Sequence, residues 1–477
     1  MVHQQERDIS VGLAALPLVA MLVLFVIGAA FMDMGTELLV LVMLGAAAVA
    51  SVVAIRVGRT WDDIQRSTGE KLATVLPAVL ILLTIGMLIG TWVVGGTIPM
   101  LIYYGLEMVN PSFFVVTAFL ATAVMSLCTG TSWGSAGTIG VALMAMGAAL
   151  GAPLGPTAGA VVSGAYFGDK LSPLSDSTNI CAIGAGANLY AHIRMMLYTA
   201  VPSFIVATLV YTFAVQTPDG NGALPERAQN LLADIETIYS LSLLTLLPVI
   251  VVIVGIARRT PPVIAMAASA AVAASLGILL QGFSVESALL TAVSGFELAM
   301  VADKGIDPGS LGEAATTLLA RGGLYSMVNT LLVIIAAFLL AGAMDVSGAL
   351  DRLIGRLLQA VRSTFGLIAA TMAAGTMMIS LTSHGGVTAL IIGGLFQKAY
   401  RERGFAPENL SRSLEDSVTI VEPLLPWTVS AVYMASTLGV PTLTYAPWAI
   451  FCIGGPVMSL IYAATYDRWH IGLKRTD

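Results

Sequence analysis

The sequence predicts an all-α, polytopic membrane protein built as an inverted-topology repeat, with about ten transmembrane helices, two re-entrant hairpins and two unwound helices. Three observations predict it. Across 477 residues the chain is 57% hydrophobic and 10% charged, with a mean hydropathy of +0.89, where soluble domains carry roughly a quarter charged residues. Residues 129–179 place helix-breaking polar backbone between flanks apolar enough for a bilayer, and a second such stretch lies at 381–427. The elements around these two stretches come in the same order with opposite orientation.

A helical span needs roughly 20 apolar residues. Residues 11–31 and 37–57 make a first pair, joined by a short loop with Asp33 and Glu37. The positive-inside rule puts the next patch, with Arg56, Arg59, Arg66 and Lys71, in the cytoplasm, and the N-terminus with it. No small-residue cleavage site is evident near the polar opening MVHQQERDIS, so the first helix reads as retained. Residues 72–95 run outward, and 97–109 lie along the outer interface with Tyr103, Tyr104 and Glu107. A hairpin at about 111–151 enters from outside, its tip at Thr129–Gly134. Residues 157–190 cross inward as a broken helix, interrupted at 169–179, with His192 and Arg194 at the cytoplasmic end. Residues 195–215 close the first repeat, 1–215, and an acidic extracytoplasmic linker fills 216–237.

The second repeat, 238–477, opens with spans 238–257 and 261–282, split by Arg258-Arg259 in the cytoplasm. Residues 283–325 form short outer helices, 326–346 run inward, and 351–362 lie amphipathic on the inner surface. A hairpin at about 364–397 turns at LTSHGG (Leu381–Gly386). Its return arm, 387–397, ends too soon in Lys398, Arg401 and Arg403 to have crossed. A broken helix at about 411–439 and a last span, 445–466, leave the C-terminus cytoplasmic.

Broken backbone with carboxylates at membrane depth persists only where it is buried in protein or lines a wet cavity. Transporters bind ions and substrates that way, and a hard cation such as Na+ takes oxygen ligands there. Asp176, Asn179, Thr131 and Ser132 supply oxygens from the first half, and Ser383, Asp416 and Thr419 from the second. Aligning SDSTN (175–179) with EDSVT (415–419) sets Asp176 opposite Asp416. Asp169, His384 and Glu422 are further coupling or substrate candidates. Plainer roles compete with these. Asp176 suits a helix N-cap, Asp169 and Lys170 an adjacent ion pair near the inner surface, and Glu415 a cap or a solvated acid. His384 suits a hydrogen-bonded tip residue or a pH sensor.

Other classes fit less well. No P-loop appears, which argues against an ATP-driven pump. No basic run suggests nucleic acid, and net charge is −6. Cys128, Cys181 and Cys452 lack metal-ligand spacing, so neither a disulfide nor a cofactor is expected. A passive channel would also have broken helices, but opposed half-sites with titratable acids suit alternating access. An intramembrane aspartyl protease would need a Gly-Asp motif with a Tyr-Asp partner, and neither Asp176 nor Asp416 has one.

TGTSWGSAGTIG (Thr129–Gly140), SGAYFGDKLSPLSDSTN (Ser163–Asn179), LSRSLEDSVT with PLLPW, and YMASTLGV resemble the NhaC family of sodium/proton antiporters. The resemblance runs from about residue 70 to the C-terminus. It implies Na+ extrusion in exchange for H+ in a prokaryotic cytoplasmic (inner) membrane, by an elevator-like homodimer. The family also includes exchangers of organic acids and amino acids. The alternative is therefore a Na+- or H+-coupled carrier of a small solute such as malate, lactate or an amino acid. Ser383-His384-Gly385-Gly386 departs from the family's Ser-Ser-Trp-type tip, and Glu422 from its small polar residue, which leaves the solute open.

Overall fold

The computed structural model describes residues 9–32, 35–215, 224–359, 361–383 and 385–476. Among them are helices and their connections, with one isolated antiparallel bridge between Phe405 and Arg475. Nine described helices are long and apolar enough to cross a membrane: Val11–Phe31, Thr36–Arg56, Trp61–Val94, Pro111–Thr129, Leu189–Phe213, Pro262–Leu279, Leu324–Val346, Thr364–Thr382 and Ile450–Trp469. Two bent pairs raise the number to 11 if each counts as one span.

Trp61–Val94, at 34 residues, is about 51 Å long by helical rise. That exceeds the roughly 30 Å hydrocarbon core, and its polar first turns are fixed by a capping box. The Thr60 hydroxyl accepts the Asp63 N–H at 3.2 Å, and the Asp63 carboxylate accepts the Thr60 N–H at 2.9 Å. Farther along, this helix packs against Pro262–Leu279 and Val328–Val346, and the indole N–H of buried Trp92 donates to Ser269 at 2.9 Å. Val11–Phe31 packs on Thr36–Arg56, which in turn packs on Val328–Val346. A second group holds the breaks. In it, Phe114–Thr129 packs on Leu154–Leu171, Leu189–Phe213 on Ile450–Trp469, and Asp176–Ala185 on Gly385–Glu402.

The expected span 238–257 starts later, at Leu243. Glu226–Ile238 ends at Tyr239, and Leu243–Ala257 starts afresh at 102° to it. Ser242 begins the new segment by accepting the Leu244 N–H at 3.4 Å. The return arm expected at 387–397 is longer, because Gly385–Glu402 stays helical through its basic end. Exposed Lys398 there pairs with Glu402 one turn on, at 3.7 Å.

Candidate functional site

The first break lies between Leu154–Leu171 and Asp176–Ala185. Pro173 has no N–H and restricts Ser172 to extended backbone, so the helix stops. Ser175 starts the next one by accepting the Thr178 N–H at 3.3 Å. Asn179 holds the break by donating to the Ser175 carbonyl at 2.7 Å and the Pro173 carbonyl at 3.1 Å. Thr178 donates to the Asp169 carbonyl at 3.1 Å.

The turn at Thr129–Gly134 is seated on this break. Gly130 has φ +68°, and a Cβ there would come within 2.7 Å of the Leu174 Cβ, so the position demands glycine twice over. Ser132 then donates to the Asp169 carboxylate at 2.9 Å, in a nearly buried contact. A cavity of about 850 Å³ opens beside the turn, with Thr131, Ser132, Asp169, Asp176, Asn179 and Arg259 in its wall. Asp176 is exposed to it on the first turn of its helix. All four cation candidates of the first half are thus brought to one wet space, and Asp169 joins them.

The second break runs from Pro407–Leu414 through a wide turn, Glu415–Thr419, to Val429–Leu438, bent by 45°. Its acid, Asp416, is fully buried and does not reach the cavity. Its carboxylate accepts Ser459 at 2.6 Å, Thr199 at 3.4 Å, and the ammonium of buried Lys170. The expected Asp169–Lys170 pair is therefore corrected. Adjacent residues on a helix do not face each other; Asp169 turns to Ser132 and Lys170 to Asp416.

Glu415 is neither a cap nor solvated but 1% exposed. One oxygen accepts Thr419 at 2.8 Å and Ser177 at 3.3 Å. The other lies 3.9 Å from His192 Nε2, and neither of those two atoms has a hydrogen-bond partner among the described residues. His192 stands in the first turn of Leu189–Phe213, at the helix end where the sequence puts it, but it is fully buried, and its Nδ1 lies 2.8 Å from the Ser411 hydroxyl. Thr419 is thus tied to Glu415, not offered to the cavity. Ser383 sits at φ 52° with a buried hydroxyl that has no partner among the described residues. His384 lies outside the described residues. Glu422 is half-buried, and its carboxylate lies against Gly385, where a Cβ would come within 2.8 Å of it.

The sequence reading missed Thr199, Ser459, Arg259 and the true partner of Lys170. One signal was available: an intramembrane lysine pairs with an intramembrane acid, and Lys170 faced a choice of several.

Broken helices that carry acids to a cavity between membrane spans define an ion-coupled membrane transporter. The model of the Na+/H+ antiporter family matches residues 164–465, and the chain belongs to that family. It is 45% identical over 450 residues, 94% of each chain, to an uncharacterized Na(+)/H(+) antiporter of Haemophilus influenzae. It is 32% identical over 458 residues, 96% of each chain, to the Na(+)/H(+) antiporter NhaC of Alkalihalophilus pseudofirmus. A malate-2H(+)/Na(+)-lactate antiporter of Bacillus subtilis is also 32% identical, over 419 residues and 87% of each chain. The chain is a multi-pass membrane protein.

Proposed function

We propose that the chain exchanges Na+ for H+ across a bacterial inner membrane, with Na+ extrusion as the physiological direction. The observation that carries this reading is the cavity where Asp169 and Asp176 face the same space as Thr131, Ser132 and Asn179. A carboxylate that holds Na+ or a proton, but not both, exchanges one for the other as its access alternates. The sequence put Asp176 first. The geometry favours Asp169, which is nearly buried and bound to the turn by Ser132, with Asp176 as the second, solvated acid.

The build that suits this function is two inverted repeats, 1–215 and 238–477, joined by an extracytoplasmic linker and carrying re-entrant hairpins at about 111–151 and 364–397. It works as an elevator in a homodimer with both termini cytoplasmic. In support, Gly130 and Ser383 each end a helix in the left-handed region, and a broken helix follows each of them in the chain. The cavity wall includes Arg259 to Pro262. With that turn in the cytoplasm, this conformation faces inward.

One observation favours a second reading, a Na+- or H+-coupled carrier of a small organic anion. About 850 Å³ is the size of a small-molecule pocket rather than of an ion cage, and Arg259 supplies a cation to its wall. Proteoliposomes holding the purified chain and a pH gradient separate the two. Exchange predicts that NaCl alone dissipates the gradient and that Asp169→Asn reduces this to the protein-free rate. Dissipation that waits for malate or lactate, and that is lost in Arg259→Gln, establishes the second reading.

A further inference from the structure

We infer that Lys170 is the resident occupant of a second cation site, built around Asp416, and that the chain therefore keeps one open cation site, not two. The inference rests on the exchange reading above. The Asp416 carboxylate is met by two hydroxyls, Ser459 at 2.6 Å and Thr199 at 3.4 Å, and all three residues are fully buried. A carboxylate with two hydroxyl oxygens is the donor chemistry a small monovalent cation takes in an unwound transporter helix. Asp416 lies in a widened helical turn, Glu415–Thr419, just before the backbone leaves the helix, and such turns are frequent at functional sites.

Here the cation is already present. The Lys170 ammonium contacts Asp416 and also reaches the Thr199 hydroxyl at 3.4 Å. One hydroxyl oxygen therefore faces both the carboxylate and the cation, as a ligand oxygen faces a bound ion. The pair is closely packed. A Cβ on Gly455 would run first into the Ile420 side chain, and would sit 3.0 Å from the Asp416 carboxylate and 3.4 Å from the Lys170 nitrogen. The Phe451 ring closes another side, 5.7 Å from the ammonium. Asp169 and Lys170 are neighbours on one helix, so a single step of chain gives an acid to the open site and a cation to the filled one.

The test compares wild type with Lys170→Met, purified in detergent, by equilibrium binding of radioactive Na+ and by thermal unfolding in NaCl or choline chloride. Wild type is expected to hold one Na+ per chain. Lys170→Met is expected to hold two, and its midpoint to rise with NaCl well beyond the wild-type rise, because a ligand bound by the native state alone stabilises it. Lys170→Arg, which restores a cation, keeps one. A Lys170→Met protein with one Na+ and a wild-type response to NaCl overturns the inference. Where Lys170→Met survives purification only in NaCl, Na+ has taken the place of the ammonium and the inference stands; loss in both salts overturns it. A wild type that binds no Na+ breaks the exchange reading instead, and one Na+ gained by Lys170→Met still establishes the filled site.

Discussion

The two helix breaks have like ingredients and unlike states. Each carries an acid beside hydroxylated residues, and each restarts its helix from a hydroxyl cap, Ser175 in the first and Thr428 in the second. The first break is wet: Asp176 is exposed, and Asp169 stands in the wall of a cavity with Ser132 as a donor. The second is dry: Asp416 has no exposure and already faces a cation from the chain. The difference teaches that a carboxylate at membrane depth has two uses. One left open to water is available to an ion that comes and goes. One closed over an ammonium holds helices together, because breaking such a pair strands a charge in a medium that solvates it poorly.

The largest effect should come from separating these uses. Asp416→Asn leaves Lys170 buried without its counter-charge, and the expected loss of stability is about 3–5 kcal/mol. Lys170→Met with Asp416→Asn removes both charges and should recover most of that loss, since an apolar replacement of a buried pair is often neutral. Asp169→Asn keeps an oxygen for Ser132 and should change stability by no more than about 1 kcal/mol, while ending Na+-driven proton movement. Thermal midpoints and fluxes measured on the same four proteins check this. An Asp169→Asn protein as unstable as Asp416→Asn would erase the contrast.

Next in size is Asp176→Asn. Its charge acts across water, where a unit pair at 4 Å is worth about 1 kcal/mol, so apparent Na+ affinity should weaken about fivefold. The measurement is the NaCl concentration for half-maximal dissipation of the pH gradient. A complete loss would make Asp176 the principal ligand, as its position in SDSTN suggested. Gly130→Ala comes after it. An L-residue at φ +68° costs about 1–2 kcal/mol, and the added Cβ pushes on Leu174. The turn should lift from the break, and half-maximal NaCl should rise with little change at saturation.

Much of the fold was legible because its signals are local. Apolar runs gave most of the spans, and the Gly, Ser and Pro of residues 129–134 and 172–175 broke helices where they stand. The errors came where composition does not change with structure. Apolar sequence continues across Ser240 to Ser242, so the span reads from 238 rather than from Leu243, although Ser242 is an ordinary cap signal. The site was half legible for a related reason. Thr131, Ser132, Asp169, Asp176 and Asn179 are close in sequence and share one cavity. Lys170 and Asp416 are 246 residues apart, and nothing local says which of several acids a buried lysine meets. His192 and Arg194 both stand in the opening turns of Leu189–Phe213, and nothing local says that His192 is buried while Arg194 is exposed.

The smallest expected effect is a control that lies in neither break. Thr60 and Asp63 cap the exposed, polar start of Trp61–Val94, away from the cavity. The Thr60 N–H, and after it the Thr60 hydroxyl, hold the Asp63 carboxyl below the usual aspartate range. A carboxyl lowered in the folded state adds stability above its unfolded value of about 3.9, and that contribution is lost as pH falls through the lower folded value. Thr60→Ala removes both bonds of the hydroxyl, the one it accepts from the Asp63 N–H and the one it donates to the Asp63 carboxylate, and should cause a slight drop in thermal midpoint near neutral pH. The drop should shrink as acid protonates Asp63 in both proteins. Half-maximal NaCl should not move at all. If a loosened cap at one end of the longest helix did shift Na+ affinity, sensitivity to mutation would be a property of the whole bundle. The contrast between the wet break and the dry one would then lose its force, because effects at Asp176 and Gly130 could no longer be assigned to the residues that touch the cavity.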